Sequence, residues 1–272
     1  MSPLRLATWN LLHGRSLTHG EVRADDVRAG ASRLDADVLA LQEVDRLQNR
    51  SNGLDLTRLV AETGAAVWSR FVPTLHGVPG AGWTPAADAG EHEPDGPSYG
   101  IGLVSRLPVL ESHVLRFPPA PMGMPLLVPG QGLMKVDDEP RAALAAVLAG
   151  PGGPFTVVAT HLSFVPGFNV RQLRRLVRWV QPLPGPRVLL GDLNLPGSLP
   201  RLVTGWSQLA RVPTYPSWHP RVQFDHVLAD GLGKPAVQQV MSLRLPVSDH
   251  NALAVTVRLP ARPTPQRPVP RA

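Results

Sequence analysis

The stretch Arg187-Val188-Leu189-Leu190-Gly191-Asp192-Leu193-Asn194 carries a short apolar run that ends in a carboxylate and an amide. A short apolar run bounded by Gly and turn-forming residues is typical of a buried strand. Three other runs end in the same way, at Asn10, Glu43 and His161. Because α/β sheets build their sites where strand ends meet, these polar side chains predict one shared site at one rim of the fold.

The rest of the chain predicts many strands and few helices. Its 31 prolines and 25 glycines divide it into short apolar runs. Strands are predicted at residues 4–9, 37–41, 65–72, 100–105, 142–148, 155–160, 187–190, 223–229 and 253–257. Helical periodicity occurs at residues 21–34, 54–62 and 169–180. This pattern favours a mixed α/β sandwich, with helices covering sheets, over an all-β barrel.

Length and composition favour one folded domain. The chain has 272 residues, of which 43% are apolar, so residues 1–259 are predicted to share one core. Residues 260–272 contain five prolines and three arginines and are expected to form an extended tail. Residues 73–98 are rich in Gly, Pro, Ala and acidic residues and are predicted to form a long loop.

The same composition excludes several classes of site. With no cysteine, the chain has no disulfide scaffold, thiolate metal site or cysteine nucleophile. No apolar run has the ~18–20 residues that a membrane-spanning helix needs, and the N-terminus does not resemble an export signal. A cytoplasmic location is therefore expected.

The positive charge of the chain is almost wholly arginine. The net charge is +6, and the only lysines are Lys135 and Lys234. An excess of arginine suits a phosphate-binding protein, because the planar guanidinium group donates two hydrogen bonds at once. A coding bias towards Arg, Ala, Gly and Pro would produce the same excess of arginine without any such function. Four arginines form a helical stripe that is either a solvated face or a surface for nucleic acid or acidic lipid: Arg171, Arg174, Arg175 and Arg178.

Two further polar motifs lie near the C-terminus, Phe-Asp-His at Asp225 and Ser-Asp-His at Asp249 and His250. Taken singly, an Asp after Gly is usually a turn residue and an Asn at a strand end usually a cap. Taken together, they have a different meaning. Burial of four carboxylates near one another, those of Glu43, Asp192, Asp225 and Asp249, would cost several kcal/mol per charge unless cations or hydrogen-bond donors compensated them. Their clustering would therefore imply a divalent metal.

Seven short motifs follow one another along the chain. They are Trp9-Asn10, Leu41-Gln42-Glu43, Tyr99-Gly-Ile-Gly-Leu-Val-Ser-Arg106, Thr160-His161-Leu162, Gly191-Asp192-Leu193-Asn194, Phe224-Asp225-His226 and Ser248-Asp249-His250. In order and spacing they resemble the endonuclease/exonuclease/phosphatase superfamily, which includes deoxyribonuclease I, the abasic-site endonucleases and the inositol-polyphosphate 5-phosphatases. The resemblance runs from about residue 4 to residue 257. It implies a four-layer α/β sandwich, with two mixed β-sheets face to face and helices outside.

The resemblance also implies a metal and a base. Glu43 would be the principal ligand of Mg²⁺, or of Mn²⁺, with Asn10 and Asp249 adjoining the ion. A hard cation is also what an oxygen-only ligand set favours. Asp192 would position and deprotonate the attacking water, and Asn194 would hold that water or a phosphate oxygen.

Two imidazoles complete the implied machinery. His250 would donate to the phosphoryl oxygen, and Asp225 would bond its other ring nitrogen and so fix its orientation. His161 would contact the scissile phosphate. These groups would offset the charge that grows in the transition state.

Two candidate substrate contacts come from neighbouring stretches. Arg141 begins an apolar strand and would face the same sheet end as His161, where it could bind phosphate or form a structural ion pair. Tyr99 is the second, although abasic-site endonucleases carry their active-site tyrosine one residue further upstream. The 5-phosphatases have Trp-Cys-Asp-Arg where this chain has 223–226, which argues against an inositol phosphate substrate.

The sequence thus predicts a Mg²⁺-dependent phosphoesterase that hydrolyses a phosphodiester or a phosphomonoester. Its partner would be a phosphate-ester substrate, nucleic acid among the options. The alternative is a non-catalytic phosphate- or nucleic-acid-binding protein that kept the fold. The complete set of catalytic residue types favours the enzyme.

Overall fold

Two sheets form the centre of the protein, whose computed structural model describes residues 3–87, 96–128 and 132–260. The first sheet has seven strands. Their spatial order is β14 (Val237–Leu243), β15 (Ala252–Val257), β1 (Leu4–Asn10), β2 (Val38–Arg46), β5 (Ser98–Ser105), β3 (Trp68–Gly77) and β4 (Trp83–Pro85). Strands β1 and β2 are parallel and the other neighbours are antiparallel, so the sheet is mixed.

The second sheet has six strands and is also mixed. Their order is β12 (Ser207–Gln208), β13 (Asp225–Asp230), β11 (Arg187–Asp192), β10 (Gly153–His161), β9 (Arg141–Gly150) and β6 (Val109–Phe117). Only β10 and β11 run parallel. A separate hairpin pairs β7 (Met124–Val128) with β8 (Gly132–Val136).

Four helices cover the outer faces of the sheets. Helices α1 (Ala24–Leu34) and α2 (Leu56–Thr63) pack their apolar sides on the first sheet. Helix α3 (Phe168–Val180) packs Leu173, Leu176 and Val180 on the second sheet, beside α4 (Leu199–Thr204). The predicted four-layer arrangement, two mixed sheets with helices outside, is confirmed.

The inner faces of the two sheets share the largest core. Alternate residues of the central strands contribute to it, among them Leu6, Ala40, Leu144, Val157 and Leu190, all with 0% exposure. The intervening residues of the same strands pack under the helices instead. Burial on both faces explains why these strands read in the sequence as continuous apolar runs rather than as alternating ones.

Strand register brings the polar strand ends together. In the second sheet His161 pairs with Asp192, and Asp192 pairs with Asp225 on its other side. In the first sheet Asn10 is level with Gln42. Gly191 is required at this point because a Cβ there would overlap the carbonyl oxygen of Thr160. The close pairing of β10 and β11 just before Asp192 therefore depends on glycine.

Each of the nine predicted strands and three predicted helices lies within or overlaps an observed element, but several elements were missed. The omissions are β4, β6, β7, β8, β12, β14 and α4. Strands β6 and β14 are sheet edges and are mostly half-buried, so they lack the apolar runs on which the prediction relied. Short or exposed strands carry a weak sequence signal.

The long loop predicted at residues 73–98 is partly wrong. Strand β3 continues through Pro73 to Gly77, and β4 pairs with that extension. The register shifts between Pro73 and Leu75, and a bulge is one of the few places where a sheet accepts proline. Residues 88–95 lie outside the described residues.

The domain prediction for residues 1–259 stays a prediction. Of the expected tail, residues 261–272 lie outside the described residues. Among the residues that are described, no helix combines the length and the apolar character that a membrane crossing requires.

Candidate active site

A cleft of about 520 Å³ opens where the strand ends of both sheets meet. Eight of the ten candidate site residues line it: Glu43, Tyr99, Arg141, His161, Asp192, Asn194, Asp249 and His250. The other two, Asn10 and Asp225, are fully buried and hydrogen-bond to residues of the cleft wall. The structure therefore brings all the predicted site residues together.

Glu43 is held in an uncommon backbone conformation at a bulge of β2. The register between β2 and β5 shifts from Leu41 to Val44, and Glu43 has φ +52°. Left-handed φ values are unusual for side chains of this kind, and bulges often re-aim a side chain. Asn10 Nδ2 donates to Glu43 Oε1 at 2.9 Å. Burial and the nearby Asp249 charge raise the pKa of Glu43 to about 7.

Asp192 lies at the centre of the site. Its Oδ1 accepts from the backbone N–H of Asn194 at 2.9 Å, and its Oδ2 accepts from Asn10 Nδ2 at 3.1 Å. The same Oδ2 lies 3.8 Å from both His161 Nε2 and His250 Nε2. Burial raises the pKa of Asp192 to about 6, although the His250 charge opposes the shift. At neutral pH this carboxyl group is therefore ionised and basic enough to accept a proton.

His250 is paired with a buried carboxylate. Its Nδ1 donates to Asp225 Oδ2 at 2.8 Å, and the Tyr215 ring lies 4.9 Å from the imidazole. Burial alone would lower the pKa of His250, but Asp225, Asp192 and Asp249 raise it to about 10. The ring is thus an imidazolium at neutral pH, with Nε2–H directed towards Asp192.

His161 is kept neutral in the same cleft. Arg141 Nη1 lies 3.2 Å from its Nδ1, and Asn194 Nδ2 lies 3.3 Å from its Nε2. Burial, followed by the charges of Arg141 and His250, holds the pKa of His161 well below its usual range. The two imidazoles of the site therefore have different charges, which suits them to different tasks.

Arg141 forms the structural ion pair that was one of its two possible roles, and phosphate binding stays a prediction. Its side chain is 6% exposed, and Nη2 lies 3.6 Å from the buried carboxylate of Asp138. Asp138 also accepts from Ser163 Oγ and from the Ala120 backbone N–H, both at 2.8 Å. The ion pair holds a guanidinium that also lines the cleft and contacts His161.

Three residues near the site carried no clear sequence signal. Tyr215 follows a Pro-Thr pair outside any apolar run, and Phe164 lies in a turn, yet both line the cleft. Arg50 donates two hydrogen bonds to the buried carboxylate of Asp45, and its guanidinium lies over the Tyr99 ring at 5.5 Å.

The donor set fits a cation. Among the described residues, neither lysine nor arginine forms an ion pair with Glu43, Asp192 or Asp249, although these carboxyl groups converge on one cleft. In addition, Asp192, Asp225 and His250 each offer one ligand atom, and these atoms lie within 4.8 Å of one another. The His250 imidazolium lies near all three carboxyl groups but supplies only one positive charge. Converging carboxylates with too little positive charge are costly, so a metal ion is a natural counter-charge.

His226 lies behind the site, and its burial is expected to make the free energy of unfolding depend on pH. It has 0% exposure, and its Nε2–H donates to the Leu195 carbonyl at 2.8 Å. Burial lowers its pKa to about 4, whereas a histidine in an unfolded chain titrates near 6.5. The stability that neutral His226 contributes is therefore complete above pH 6.5 and is lost as the pH falls from there towards 4.

We expect the free energy of unfolding of the wild type to fall, relative to His226→Gln, by about 1.4 kcal/mol per pH unit below pH 6.5. Gln keeps an amide donor for Leu195 but does not titrate. Urea unfolding at several pH values between 7.5 and 4.5 measures the difference between the two proteins. Parallel profiles would assign the acid sensitivity to other groups.

Comparison with known proteins gives one family and many similar folds. The profile of the Endonuclease/Exonuclease/phosphatase family matches residues 7–250. None of the curated proteins matches the chain. An endonuclease/exonuclease/phosphatase from Beutenbergia cavernae superimposes with a TM-score of 0.64 at 23% identity, over 95% of this chain and 72% of that one.

Two more distant structures have named activities or ligands. The mannosyl-6-phosphatase of Bacteroides thetaiotaomicron has a TM-score of 0.61 at 15% identity, over 94% of this chain and 100% of that one. TDP2 of D. rerio, complexed with a single-strand DNA product, has a TM-score of 0.59 at 16% identity, over 95% of this chain and 100% of that one. At these identities the similarity establishes the fold.

Proposed function

Because this chain belongs to the endonuclease/exonuclease/phosphatase family, we propose that it is a metal-dependent phosphoesterase that hydrolyses a phosphodiester or phosphomonoester bond. The membership confirms the resemblance carried by the seven motifs. The observation that carries the proposal is the position of Asp192, a buried carboxylate between a charged and a neutral imidazole at the floor of one cleft.

In this proposal Asp192 is the general base. A water molecule in the cleft would donate to its carboxylate, and the pKa of about 6 allows the group to accept that proton near neutral pH. Asn194 donates its backbone N–H to the other oxygen of Asp192, which fixes the carboxylate plane. The Asn194 side chain would hold the water or a phosphate oxygen.

The imidazoles and Arg141 would bind the phosphoryl group. His250, charged and oriented by Asp225, would donate from Nε2 to a phosphoryl oxygen, and His161 would contact the scissile phosphate. Arg141, held by Asp138, would supply a fixed positive charge. Charges placed in advance where negative charge develops are worth several kcal/mol in a transition state. Tyr99 would contact the substrate from the opposite wall.

The metal proposal rests on the oxygen donors. Glu43 would be the principal ligand of Mg²⁺, with Asn10 and Asp249 adjoining it, and Mn²⁺ could take the same place. When bound, such an ion polarises a phosphoryl oxygen and neutralises developing charge. The group Asp192, Asp225 and His250 is a less suitable principal site, because His250 would have to lose a proton that the surrounding carboxylates keep on the ring by raising its pKa to about 10. A hard cation also prefers oxygen to imidazole nitrogen.

The second candidate function is phosphate or nucleic-acid binding without catalysis. The fold and Arg141 would serve it equally well, but binding alone needs no carboxylate whose pKa is raised into the range of a general base. The cytoplasmic location expected from the sequence also remains a prediction.

A substrate panel tests the function. We expect the protein to hydrolyse at least one of abasic-site duplex, plain duplex, sphingomyelin, inositol phosphates and a generic aryl phosphodiester with Mg²⁺, and none of them in EDTA. Product release is measured for each substrate under both conditions. Binding without turnover across the panel would favour the non-catalytic alternative, and undiminished turnover in EDTA would contradict the metal requirement.

A further inference from the structure

A second concave surface lies on the outer face of the second sheet, beside helix α3. We call it the arginine groove and define it by Phe117, Phe168, Arg171, Arg174, Arg175 and Arg178. Its volume is about 390 Å³. The four arginines are exposed, whereas Phe117 is 2% exposed and lies at the base of the groove.

Two of the four groove arginines are held against aromatic rings. The Arg171 guanidinium lies over the Phe168 ring at 5.3 Å, and that of Arg175 lies over the Phe117 ring at 5.6 Å. In the described part of the chain, none of the four forms an ion pair with a carboxylate, unlike Arg28 with Asp25 on helix α1. Stacking on the rings limits the motion of the Arg171 and Arg175 guanidinium groups and leaves their N–H groups available to an anion. Arg178 donates from Nε to the Arg174 carbonyl at 3.3 Å.

The groove adjoins the catalytic cleft. Phe117, at the end of β6, is the direct cross-strand partner of Arg141. Directly opposed side chains lie on the same face, with Cβ atoms roughly 5 Å apart. The Arg141 guanidinium then reaches over the rim to His161. At the start of α3, Asn169 Nδ2 donates to the Asn194 carbonyl at 2.9 Å, so the helix is attached to the cleft wall.

We propose that the arginine groove binds a single-stranded nucleic-acid segment that continues from the phosphate held in the catalytic cleft. This inference rests on the proposed function, because it takes the scissile phosphate to lie beside Arg141. From Arg171 to Arg178 the helix axis extends about 10 Å, enough for more than one backbone phosphate.

The lining favours a single strand over the other polyanions. Single-strand sites combine a positive track for phosphates with aromatic and guanidinium planes against which bases stack. The guanidinium planes of Arg171 and Arg175, backed by the two phenylalanine rings, offer such surfaces. A duplex presents phosphates but keeps its bases inside, so it would leave these planes unused. An anionic lipid surface would be met by a flat or convex face, whereas this one is concave and lies beside the strand end that carries Arg141.

The test is the salt dependence of binding to a fluorescein-labelled 20-residue oligothymidylate in EDTA, which needs no hydrolysis. The groove variant replaces Arg171, Arg174, Arg175 and Arg178 with Gln. The control variant replaces four exposed arginines on the other side of the fold, Arg23, Arg28, Arg33 and Arg58, and so loses the same formal charge. Circular dichroism and melting temperature confirm that both variants fold.

We expect the log–log salt slope of the groove variant to be smaller than that of the wild type by about 2.8, at about 0.7 per phosphate contact. Between 50 and 200 mM salt the wild type would then lose about 50-fold more affinity than the groove variant. The control variant should keep nearly the wild-type slope. Turnover of the small aryl phosphodiester, which does not reach the groove, should be unchanged in both.

Equal slopes for the groove and control variants would overturn the proposal. So would groove-dependent binding of plain duplex or phosphatidylserine vesicles that exceeds the effect on oligothymidylate, since either assigns the groove to another partner. If no phosphate ester is hydrolysed but the oligothymidylate slope still depends on the groove, the proposed function fails while the binding site stands.

Discussion

Replacement of Asp192 by Asn is expected to lower kcat/KM by about 10²–10⁴-fold, the usual contribution of a general base. Asn preserves the shape of the side chain and an oxygen for the Asn194 backbone N–H, but its amide N–H groups replace the oxygen that accepts from Asn10 Nδ2. It cannot accept a proton from water. The loss should fall mainly on kcat, because the groups that bind phosphate are unchanged.

The neighbouring carboxylate and imidazole provide the comparison. Asp225→Asn should retain partial activity, because Asp225 orients His250 and does not reach the water itself. His250→Ala should cost no more than Asp192→Asn. The three variants are measured on the same ester, with melting temperatures as the check on folding. Equal and complete losses at Asp192 and Asp225, or a wild-type rate for Asp192→Asn, would contradict the assigned roles.

The two imidazoles of the site differ in charge because their surroundings differ. His250 lies among carboxylates, which raise its pKa to about 10, whereas burial and Arg141 keep the pKa of His161 well below its usual range. In the proposed mechanism one ring would therefore donate as a cation and the other would stay neutral against the phosphate. Residue types alone do not reveal this difference, because both positions are histidines at strand or loop ends.

The fold was predictable from sequence where strands are buried on both faces. The runs that end at Asn10, His161 and Asp192 are mostly apolar, and each became a central strand. Strand β14 was missed because its sequence, Val-Gln-Gln-Val-Met-Ser-Leu, belongs to a half-exposed edge. The extension of β3 through Pro73 was missed because proline usually ends a strand, and only pairing with β5 across a bulge accommodates it.

The composition of the site was predictable, but its detailed arrangement was not. Strand-end polarity and motif order identified all ten residues that the structure brings together. Two features depend on packing between segments far apart in sequence. They are the left-handed backbone conformation of Glu43 and the environment that buries the ion pair between Asp138 and Arg141. For the arginine stripe the sequence favoured a plain solvated face over a binding surface, because it did not reveal the two phenylalanine rings beneath the stripe.

Replacement of Glu43 by Gln is expected to weaken Mg²⁺ binding by at least about 10–100-fold, since even residues behind the direct ligands cost that much in other metal sites. Gln keeps an oxygen for the Asn10 amide but removes the negative charge that the cation would offset. Titration calorimetry with Mg²⁺ in the absence of substrate measures the affinity directly. Activity should require a correspondingly higher Mg²⁺ concentration.

Asp225→Asn is the matched control that locates the ion. If Glu43, Asn10 and Asp249 hold the metal, Asp225→Asn leaves Mg²⁺ affinity nearly unchanged and lowers only turnover. If the ion instead lies among Asp192, Asp225 and His250, whose ligand atoms are within 4.8 Å of one another, the pattern reverses and Glu43→Gln binds Mg²⁺ normally. Since both variants exchange a carboxylate for an amide of the same shape, the difference in affinity between them reports the position of the cation rather than a general change in charge.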